Sequence, residues 1–331
     1  MPIPKISVIV PTYNVAPYIK ETLTSLINQK FPAHEIIIIN DGSTDGTLEL
    51  LESHFGHRAE LKIHTQANQG VGAARAKGLE LATGDYVFFC DPDDVVANNL
   101  FEILSSQTAI DPALELFYFS KRAFVDTPEG RQFLRRNTAP SKDGWFDNGR
   151  ELLEDLILIH KYNAATWQYI FKKKVSGRFE ARFEGRAHED HLFSMNIYLH
   201  SKRTYATAQD CYLQRVREGS LTRSIKNEAY VLSNYRAYQQ TLVALQGHIH
   251  RFAKRRTVAL NFMEHNIQTF ITACIKNNVS LPSDIDAYTR KSAMSCDIYL
   301  HSRIALIIPS VVYWWKSVRY AGRQWKRSLR G

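Results

Sequence analysis

The chain has 331 residues, of which 44% are hydrophobic and 23% are charged. This composition excludes an intrinsically disordered chain, and the length is enough for one large domain and a smaller one. The formal net charge is +9, and much of it lies near the C-terminus, where no acidic residue follows Asp297 but seven basic residues do: Arg303, Lys316, Arg319, Arg323, Lys326, Arg327 and Arg330.

Four short apolar runs in the first hundred residues predict β-strands, at 6–10, 35–40, 61–65 and 86–90. Each run is continuous rather than alternating, which is typical of strands that are buried on both faces of a parallel sheet. Helical patterns lie between the runs; one has Asn14 as a candidate N-cap, and another, at 73–82, is rich in alanine and leucine. The alternation predicts an α/β fold with a doubly wound, mostly parallel central sheet.

The pattern changes at about Asp143. We predict a helix at 150–159, an aromatic strand at 166–171, a helix at 188–199 and one or two strands within 201–217. From about Lys226 the chain is predicted to be mostly helical to its end. These patterns predict an α/β domain at 1–225 and a helical C-terminal region at 226–331.

Polar residues follow each of the first four predicted strands. They are Thr12-Tyr13-Asn14, Asp41-Gly42-Ser43, the segment 66–70 and the run Asp91-Pro92-Asp93-Asp94. In a doubly wound sheet, ligands bind beyond the carboxyl ends of the strands. The sequence therefore predicts a ligand site where these polar clusters meet.

The run 91–94 has three carboxylates within four residues. Such carboxylates repel one another unless a cation lies among them, and their oxygens suit Mn²⁺ or Mg²⁺, which can also bind a diphosphate. The alternative is a polar loop in which Asp94 caps the next helix. The position of the run at the ligand edge favours the metal.

Asp41 and Arg75 each allow two interpretations. Asp41 precedes a glycine turn and is placed to accept hydrogen bonds from a ligand, but the segment also fits a plain turn that caps a helix. Arg75 follows a G-x-G segment that is not a dinucleotide fingerprint, because it follows the third strand and Arg75 replaces the third glycine. Arg75 could contact a phosphate or nucleobase, or face solvent from a helix.

The segment His188-Glu189-Asp190-His191 is not a metalloprotease motif. The H-E-x-x-H pattern requires a second histidine where the chain has Leu192. What remains is a carboxylate pair at the start of a helix, where the helix dipole favours negative charge. Glu189 and Asp190 are therefore either helix-capping residues or candidates for a catalytic base.

These segments together resemble the family 2 glycosyltransferases of the GT-A fold. The sequences ISVIVPTYN, IIIINDGSTDGT, NQGVGAARAKG, YVFFCDPDD and HEDHLF occur in the order of that family, over about residues 5–225. TWQYIFKKK and YLQRVREGSLTR are similar to its later segments. The chain departs from the family pattern at Pro92, where a small residue is more usual, and at Ala76, where the family often has asparagine.

The resemblance implies a Rossmann-like catalytic domain and a role for each matching residue. Asp93 would hold a divalent metal, Mn or Mg, that grips the donor diphosphate. Asp190 would be the general base that takes the proton from the acceptor hydroxyl, with Glu189 beside it. The remaining implied contacts are with the nucleotide donor: Pro11, Thr12, Tyr13 and Asp41 at the nucleobase, Arg75 near the nucleotide, Asp91 at the ribose, and Arg217, Ser220 and Arg223 closing over the diphosphate.

The resemblance implies an inverting transfer of a hexose or N-acetylhexosamine from a nucleotide-sugar, a UDP-sugar by expectation. The acceptor would be a glycan or lipid-linked glycan in bacterial surface polysaccharide or lipopolysaccharide assembly. One alternative is a sugar nucleotidyltransferase, but its glycine- and arginine-rich loop is absent after the first strand. The other is a non-catalytic nucleotide-sugar-binding or membrane scaffold, against which Asp93 and Asp190 argue.

The cysteines and termini predict a cytoplasmic protein. Cys90, Cys211, Cys274 and Cys296 show no C-x-x-C spacing, which indicates reduced thiols rather than a zinc site or disulfides. The N-terminus has no signal-peptide pattern, and the longest apolar stretch, 304–315, is interrupted by Pro309. A membrane-spanning helix needs about 20 apolar residues. We therefore expect neither secretion nor a transmembrane helix.

The C-terminal tail is predicted to lie on the inner face of the cell membrane. If it is helical, a narrow apolar stripe lies beside the basic residues given above, which suits an anionic membrane surface. The alternative is that its tryptophans pack on the catalytic domain or on a second copy of the chain, so self-association stays open. No nucleic-acid partner is expected. The stripe consists of Trp315, Val318, Gly322, Trp325 and Leu329.

Overall fold

The structure is a computed structural model that describes residues 3–134, 139–183, 188–217 and 226–280. Its strands are β1 (Ile6–Thr12), β2 (Glu35–Asn40), β3 (Leu61–Thr65), β4 (Tyr86–Phe89), β5 (Val95–Val96), β6 (Leu116–Thr127), β7 (Gly130–Phe133), β8 (Gly144–Phe146), β9 (Tyr169–Lys172) and β10 (Thr204–Arg215). Its α-helices are α1 (Ala16–Ile27), α2 (Thr47–Phe55), α3 (Val71–Leu81), α4 (Leu100–Ile110), α5 (Gly149–Leu158), α6 (Asp190–His200), α7 (Glu228–His248) and α8 (Arg255–Asn277).

The strands form one sheet in the order β3-β2-β1-β4-β9-β6-β10-β5, with β7 paired to β6 and β8 to β10. Strands β1 to β4 are mutually parallel neighbours. β9 is antiparallel to both β4 and β6, so β6 and its parallel neighbour β10 run in the same direction as β1. The predicted α/β fold with a mostly parallel sheet is confirmed, and the carboxyl ends of β1 to β4 share one edge.

Successive residues of the central strands point into two different cores. Ile9, Ile37 and Ile39 pack on the face that carries α5 and α6. Val8 and Val10 pack on the opposite face, which carries α1, α2 and α4. Side chains alternate across a strand, so a strand with helices on both faces is apolar at every position. The exception among the four predicted strands is β3, an edge strand whose middle and last residues are only partly buried or exposed.

Two local predictions differ from the structure. Asn14 does not cap α1: the helix has Val15 at its N-cap position, and Asn14 has a left-handed φ of 50°. The predicted strand at 166–171 begins as a 3-10 turn over Thr166–Gln168 before β9. The prediction of one or two strands within 201–217 is met by the single strand β10.

The helices α7 and α8 pack into the same core as α5 and α6. Tyr238 from α7 and Phe262 from α8 belong to the cluster that includes Leu153 of α5 and Tyr198 of α6. The buried carboxylate of Glu154 also accepts hydrogen bonds from the two backbone N–H groups that precede α8. The division into domains at residue 225 stays a prediction, as does the membrane-binding tail, which lies outside the described residues.

No helix among the described residues is both long enough and apolar enough to cross a membrane.

Candidate active site

The loops that follow β1 and β2 are joined by their side chains. Asn14 accepts a hydrogen bond from the backbone N–H of Thr44 at 2.8 Å, and Asp45 accepts one from the N–H of Ala16 at 3.0 Å. Asp45 thus satisfies the first turn of α1 from the neighbouring loop, which is the role predicted for Asn14. Between these contacts Tyr13 is held at the surface with 49% of its area exposed.

Pro11 and Thr12 end β1 beneath this surface. The Ile9 carbonyl accepts a hydrogen bond from the N–H of Cys90, so the backbone of Ile9 faces β4. The backbone nitrogen of Pro11, two residues further on, faces the same side, but β4 has already ended there. The missing N–H of proline therefore costs no strand pairing. Thr12 is buried, and its hydroxyl donates to the Ile39 carbonyl at 3.1 Å. In this structure the Thr12 side chain joins β1 to β2.

Asp41 is buried and organises the loop between β3 and α3. Its carboxylate accepts hydrogen bonds from the side chain of Gln66 at 2.8 Å, from the N–H of Gln69 at 2.9 Å and from the N–H of Gly70 at 2.8 Å. Gly70 has a left-handed φ of 95°, which glycine adopts without steric cost. Asp41 thus brings the polar ends of β2 and β3 together at the predicted ligand edge.

Arg75 lies at the centre of the site. It is buried, so the interpretation as a solvent-facing helix residue is wrong. Its Nη2 donates to Asp91 Oδ1 at 3.0 Å, and its Nη1 donates to Glu189. Burial lowers the pKa of Arg75, but the carboxylates of Asp91, Glu189 and Asp190 raise it by more. The net effect raises the pKa, so the guanidinium stays charged. Arg75 therefore joins the loop after β4 to the carboxylate pair far along the chain.

Gly72 lets the carboxylate pair approach α3. A Cβ atom at Gly72 would lie 2.8 Å from Glu189 Cγ and 3.2 Å from Phe183 Cβ. The 2.8 Å contact is shorter than packed carbon atoms tolerate, and the 3.2 Å contact is tighter than most. The second glycine of the G-x-G segment is thus required for the contact between α3 and Glu189, and the segment needs no dinucleotide to explain it.

Glu189 and Asp190 have different surroundings. Glu189 occupies the N-cap position of α6 but makes no side-chain cap, because its carboxylate pairs with Arg75. The Glu189 side chain is 6% exposed, whereas that of Asp190 is 24% exposed. Burial raises the pKa of Asp190 to about 6; Arg75 opposes this shift and Asp91 adds to it. Asp190 is thus the member of the pair that is accessible and has a pKa suited to proton transfer near neutral pH.

The three carboxylates of the run 91–94 have different orientations. Asp94 is buried and accepts from the N–H of Arg215 at 2.7 Å, so it contacts β10 and is not a helix cap. Asp91 and Asp93 are 28% and 19% exposed. Burial raises the pKa of Asp91, and Asp93 raises it further while Arg75 lowers it.

The metal prediction can be tested against this arrangement. Among the described residues, no group of three or more histidine, cysteine, aspartate or glutamate side chains could hold a metal ion. Asp93 Oδ2 instead accepts from Arg217 Nε at 2.7 Å. A partly exposed carboxylate fits a metal that is held by one or two carboxylates and by substrate phosphates, as Mg²⁺ often is, provided that the metal replaces Arg217 as its partner.

Two of the residues around this cluster were not predicted. The Tyr212 hydroxyl accepts from the N–H of Asp91 at 3.1 Å, and Arg215 Nε donates to the Asp93 carbonyl at 2.8 Å. Arg215 lies two residues before Arg217, which the sequence did predict. Residues two apart face the same side of an extended chain, so this spacing could have indicated Arg215 as well. Ser220 and Arg223 lie outside the described residues.

Part of the chain matches the model of a known protein family. Residues 7–173 match the model described as Glycosyl transferase family 2. The chain belongs to this family. The predicted family and its GT-A fold are thereby confirmed, whereas the reaction of the whole protein and the role of each site residue stay predictions.

This glycosyltransferase is 30% identical over 230 residues to the uncharacterized glycosyltransferase EpsJ of Bacillus subtilis (strain 168). The alignment covers 66% of this chain and 63% of EpsJ, so this chain spans under two thirds of the length of EpsJ.

Two solved structures share the fold. TarS 1–349 from S. aureus, in complex with UDP-GlcNAc, has a TM-score of 0.65 and 20% identity, covering 93% of this chain and 88% of TarS. The mannosyltransferase PcManGT from Pyrobaculum calidifontis, in complex with GDP-Man and Mn²⁺, has a TM-score of 0.52 and 19% identity, covering 95% of this chain and 88% of PcManGT.

Proposed function

We propose that this glycosyltransferase moves a hexose or N-acetylhexosamine from a UDP-sugar to a glycan or lipid-linked acceptor, with inversion at the anomeric carbon. The observation that carries the proposal is the bridge that Arg75 makes between Asp91 and Glu189. It brings the partly exposed Asp190 to the edge where the polar ends of the first four strands meet. The proposed donor site and the candidate base are thus adjacent, as transfer to an acceptor hydroxyl requires.

In this proposal the nucleotide lies across the ends of β1, β2 and β4. Tyr13 is exposed and offers a ring on which a nucleobase can stack, beside Pro11 and Thr12. Asp41 holds the loop that borders the base, and Asp91 faces the ribose. The UDP-GlcNAc complex of TarS supports uridine as the nucleoside.

The diphosphate lies near Asp93 in this proposal. Asp93 would hold Mn²⁺ or Mg²⁺, and the Mn²⁺ complex of PcManGT supports a divalent ion. When bound, such an ion neutralises negative charge on the leaving diphosphate. Arg217 adjoins the same position, so it can transfer its hydrogen bonds from Asp93 to a phosphate oxygen. Ser220 and Arg223 are proposed to assist from outside the described residues.

The transfer step is a single displacement. Asp190 accepts the proton of the acceptor hydroxyl as its oxygen forms a bond to the anomeric carbon. The bond from that carbon to the diphosphate oxygen breaks on the opposite face, and the nucleoside diphosphate leaves with the electron pair. Arg75 holds Glu189 beside the base and stays charged throughout. Because attack and departure occur on opposite faces, the configuration inverts.

A panel of nucleotide-sugars tests the donor. A ligand that binds only the folded protein stabilises it by about 2.7 kcal/mol at a hundredfold excess over its Kd. We expect UDP-GlcNAc or UDP-glucose with Mn²⁺ to raise the melting temperature, and GDP-mannose or Mn²⁺ alone to raise it little. Stabilisation by GDP-mannose instead of the UDP-sugars would overturn the choice of nucleotide. No stabilisation by any of the three would overturn the donor site.

We further propose that the C-terminal tail holds the enzyme on the inner face of the cell membrane, beside a lipid-linked acceptor. The support is the sequence pattern of basic residues next to Trp315 and Trp325. Each basic residue near an anionic surface contributes about 1 kcal/mol. The full chain should sediment with anionic vesicles at low salt but not with neutral ones, and a chain that ends at Pro309 should not. Full-length protein that stays in the supernatant would contradict the proposal.

A further inference from the structure

Helix α7, which precedes α8, contacts the segment that contains the carboxylate pair Glu189 and Asp190. The His188 ring lies 4.8 Å from the Tyr230 ring, measured between centroids. His188 Nδ1 also lies 3.3 Å from Asn234 Nδ2, within hydrogen-bonding distance. Tyr230 and Asn234 are four residues apart on α7, so both project from one face of the helix. That face lies directly against the residue that precedes Glu189.

His188 has an uncommon backbone conformation. Its φ is 59°, in the left-handed region that a residue with a Cβ atom seldom adopts. Such a conformation persists only where the surroundings hold it in place. His188 Nε2 is buried and has no hydrogen-bond partner among the described residues, so the ring is restrained by its contacts with α7 and by its packing against His191. Because α6 begins at Asp190, the conformation of His188 sets the direction in which the chain enters that helix.

The carboxylate pair is restrained from the opposite side as well. Gly72 and Arg75 of α3 contact Glu189, as described above. Asp190 therefore lies on a short segment held between α3, which belongs to the donor-binding half, and α7. The neighbouring His191 packs edge-on against His188, with ring centroids 5.4 Å apart. Burial lowers the pKa of both histidines to about 4, so both rings are neutral at pH 7 and pack without adding charge beside Asp190.

We infer that His188 is a positioning residue for Asp190, and that Asn234 and Tyr230 of α7 hold it in place. The inference rests on the proposed function, in which Asp190 is the base. It assigns a part in the reaction to the helical region that follows residue 225, although none of that region was predicted to reach the site. Neither His188 nor Asn234 needs to touch the substrate.

The substitution Asn234→Ala tests this inference against a matched control. Asn266→Ala makes the same change in α8, where the Asn266 side chain donates, among the described residues, only to the Phe262 carbonyl of its own helix. Small displacements of a catalytic group cost up to about 10²-fold in rate. We expect Asn234→Ala to lower kcat for UDP release from UDP-GlcNAc by about tenfold to 10²-fold, with the affinity for UDP and Mn²⁺ unchanged. Equal kcat values for the two variants would overturn the inference.

A second pair of variants separates positioning from stability. Asparagine adopts a left-handed φ more readily than most residues and has an amide that can bond Asn234, whereas alanine has neither property. His188→Asn should therefore retain more of kcat than His188→Ala, with both variants folded and binding UDP alike. An equal loss in both would mean that His188 does not act through this contact. If Asp190→Asn is itself active, the proposed base is wrong; if only the Asn234 and His188 variants behave as wild type, the positioning alone is wrong.

Discussion

Asp190→Asn should lower kcat for UDP release from UDP-GlcNAc by about 10²–10⁴-fold, the usual contribution of general acid–base catalysis. Asparagine has nearly the same shape as aspartate but cannot accept the proton. The site should keep its structure, because Asp190 is not the carboxylate that pairs with Arg75. Binding of UDP with Mn²⁺ should therefore be unchanged, which isothermal titration calorimetry can measure.

Glu189→Gln is the matched control for Asp190→Asn, since it removes one charge from the neighbouring position. It should weaken the bridge to Arg75 and reduce activity less than Asp190→Asn does. If Glu189→Gln is inactive while Asp190→Asn is active, the two roles must be exchanged.

The pH dependence of the wild-type enzyme should agree with this assignment. Burial raises the pKa of Asp190 to about 6, with Arg75 opposing and Asp91 adding to the shift. The base must be ionised to accept a proton, so kcat/KM should be flat above the pKa and fall as the pH drops through about 6. The Asp190→Asn variant should lose this dependence.

Asp93→Ala should lower turnover by on the order of 10³-fold, because a metal supplies several kcal/mol of charge stabilisation in such reactions. It should also weaken the Mn²⁺-dependent binding of UDP and leave Arg217 without its carboxylate partner. The control is Asp147→Ala, which removes an exposed carboxylate that pairs with Arg203 instead. Full activity of Asp93→Ala in the presence of a chelator would contradict the metal assignment.

The strand pattern and the ligand edge could be predicted because they depend on local sequence. A continuous apolar run followed by polar residues indicates a buried parallel strand and its carboxyl end. The run that begins with Ile6 and the run that ends with Asn40 both follow this rule, and the structure confirms both strands. The family resemblance identified Asp91 and Glu189, but it did not indicate that one arginine would join them.

The contacts that could not be predicted depend on tertiary structure. Arg75 and Glu189 are separated by 114 positions, and nothing in the spacing shows that they form a buried pair. The sequence offered Asp94 only as a possible helix cap, yet it lies in the interior and accepts a hydrogen bond from the N–H of Arg215. The role of Asn14 was misassigned because the first turn of α1 is satisfied by Asp45 of another loop. Each depends on which segments the fold brings together.

The anomeric configuration of the sugar released from UDP-GlcNAc tests the central claim most directly. The sugar of UDP-GlcNAc is α-linked, and water can take the place of the acceptor in a slow hydrolysis. Proton NMR follows the released N-acetylglucosamine before its anomers equilibrate. The proposed single displacement with Asp190 as base predicts that the β-anomer appears first, in wild type but not in Asp190→Asn. First appearance of the α-anomer, or equal release by the two proteins, would contradict it.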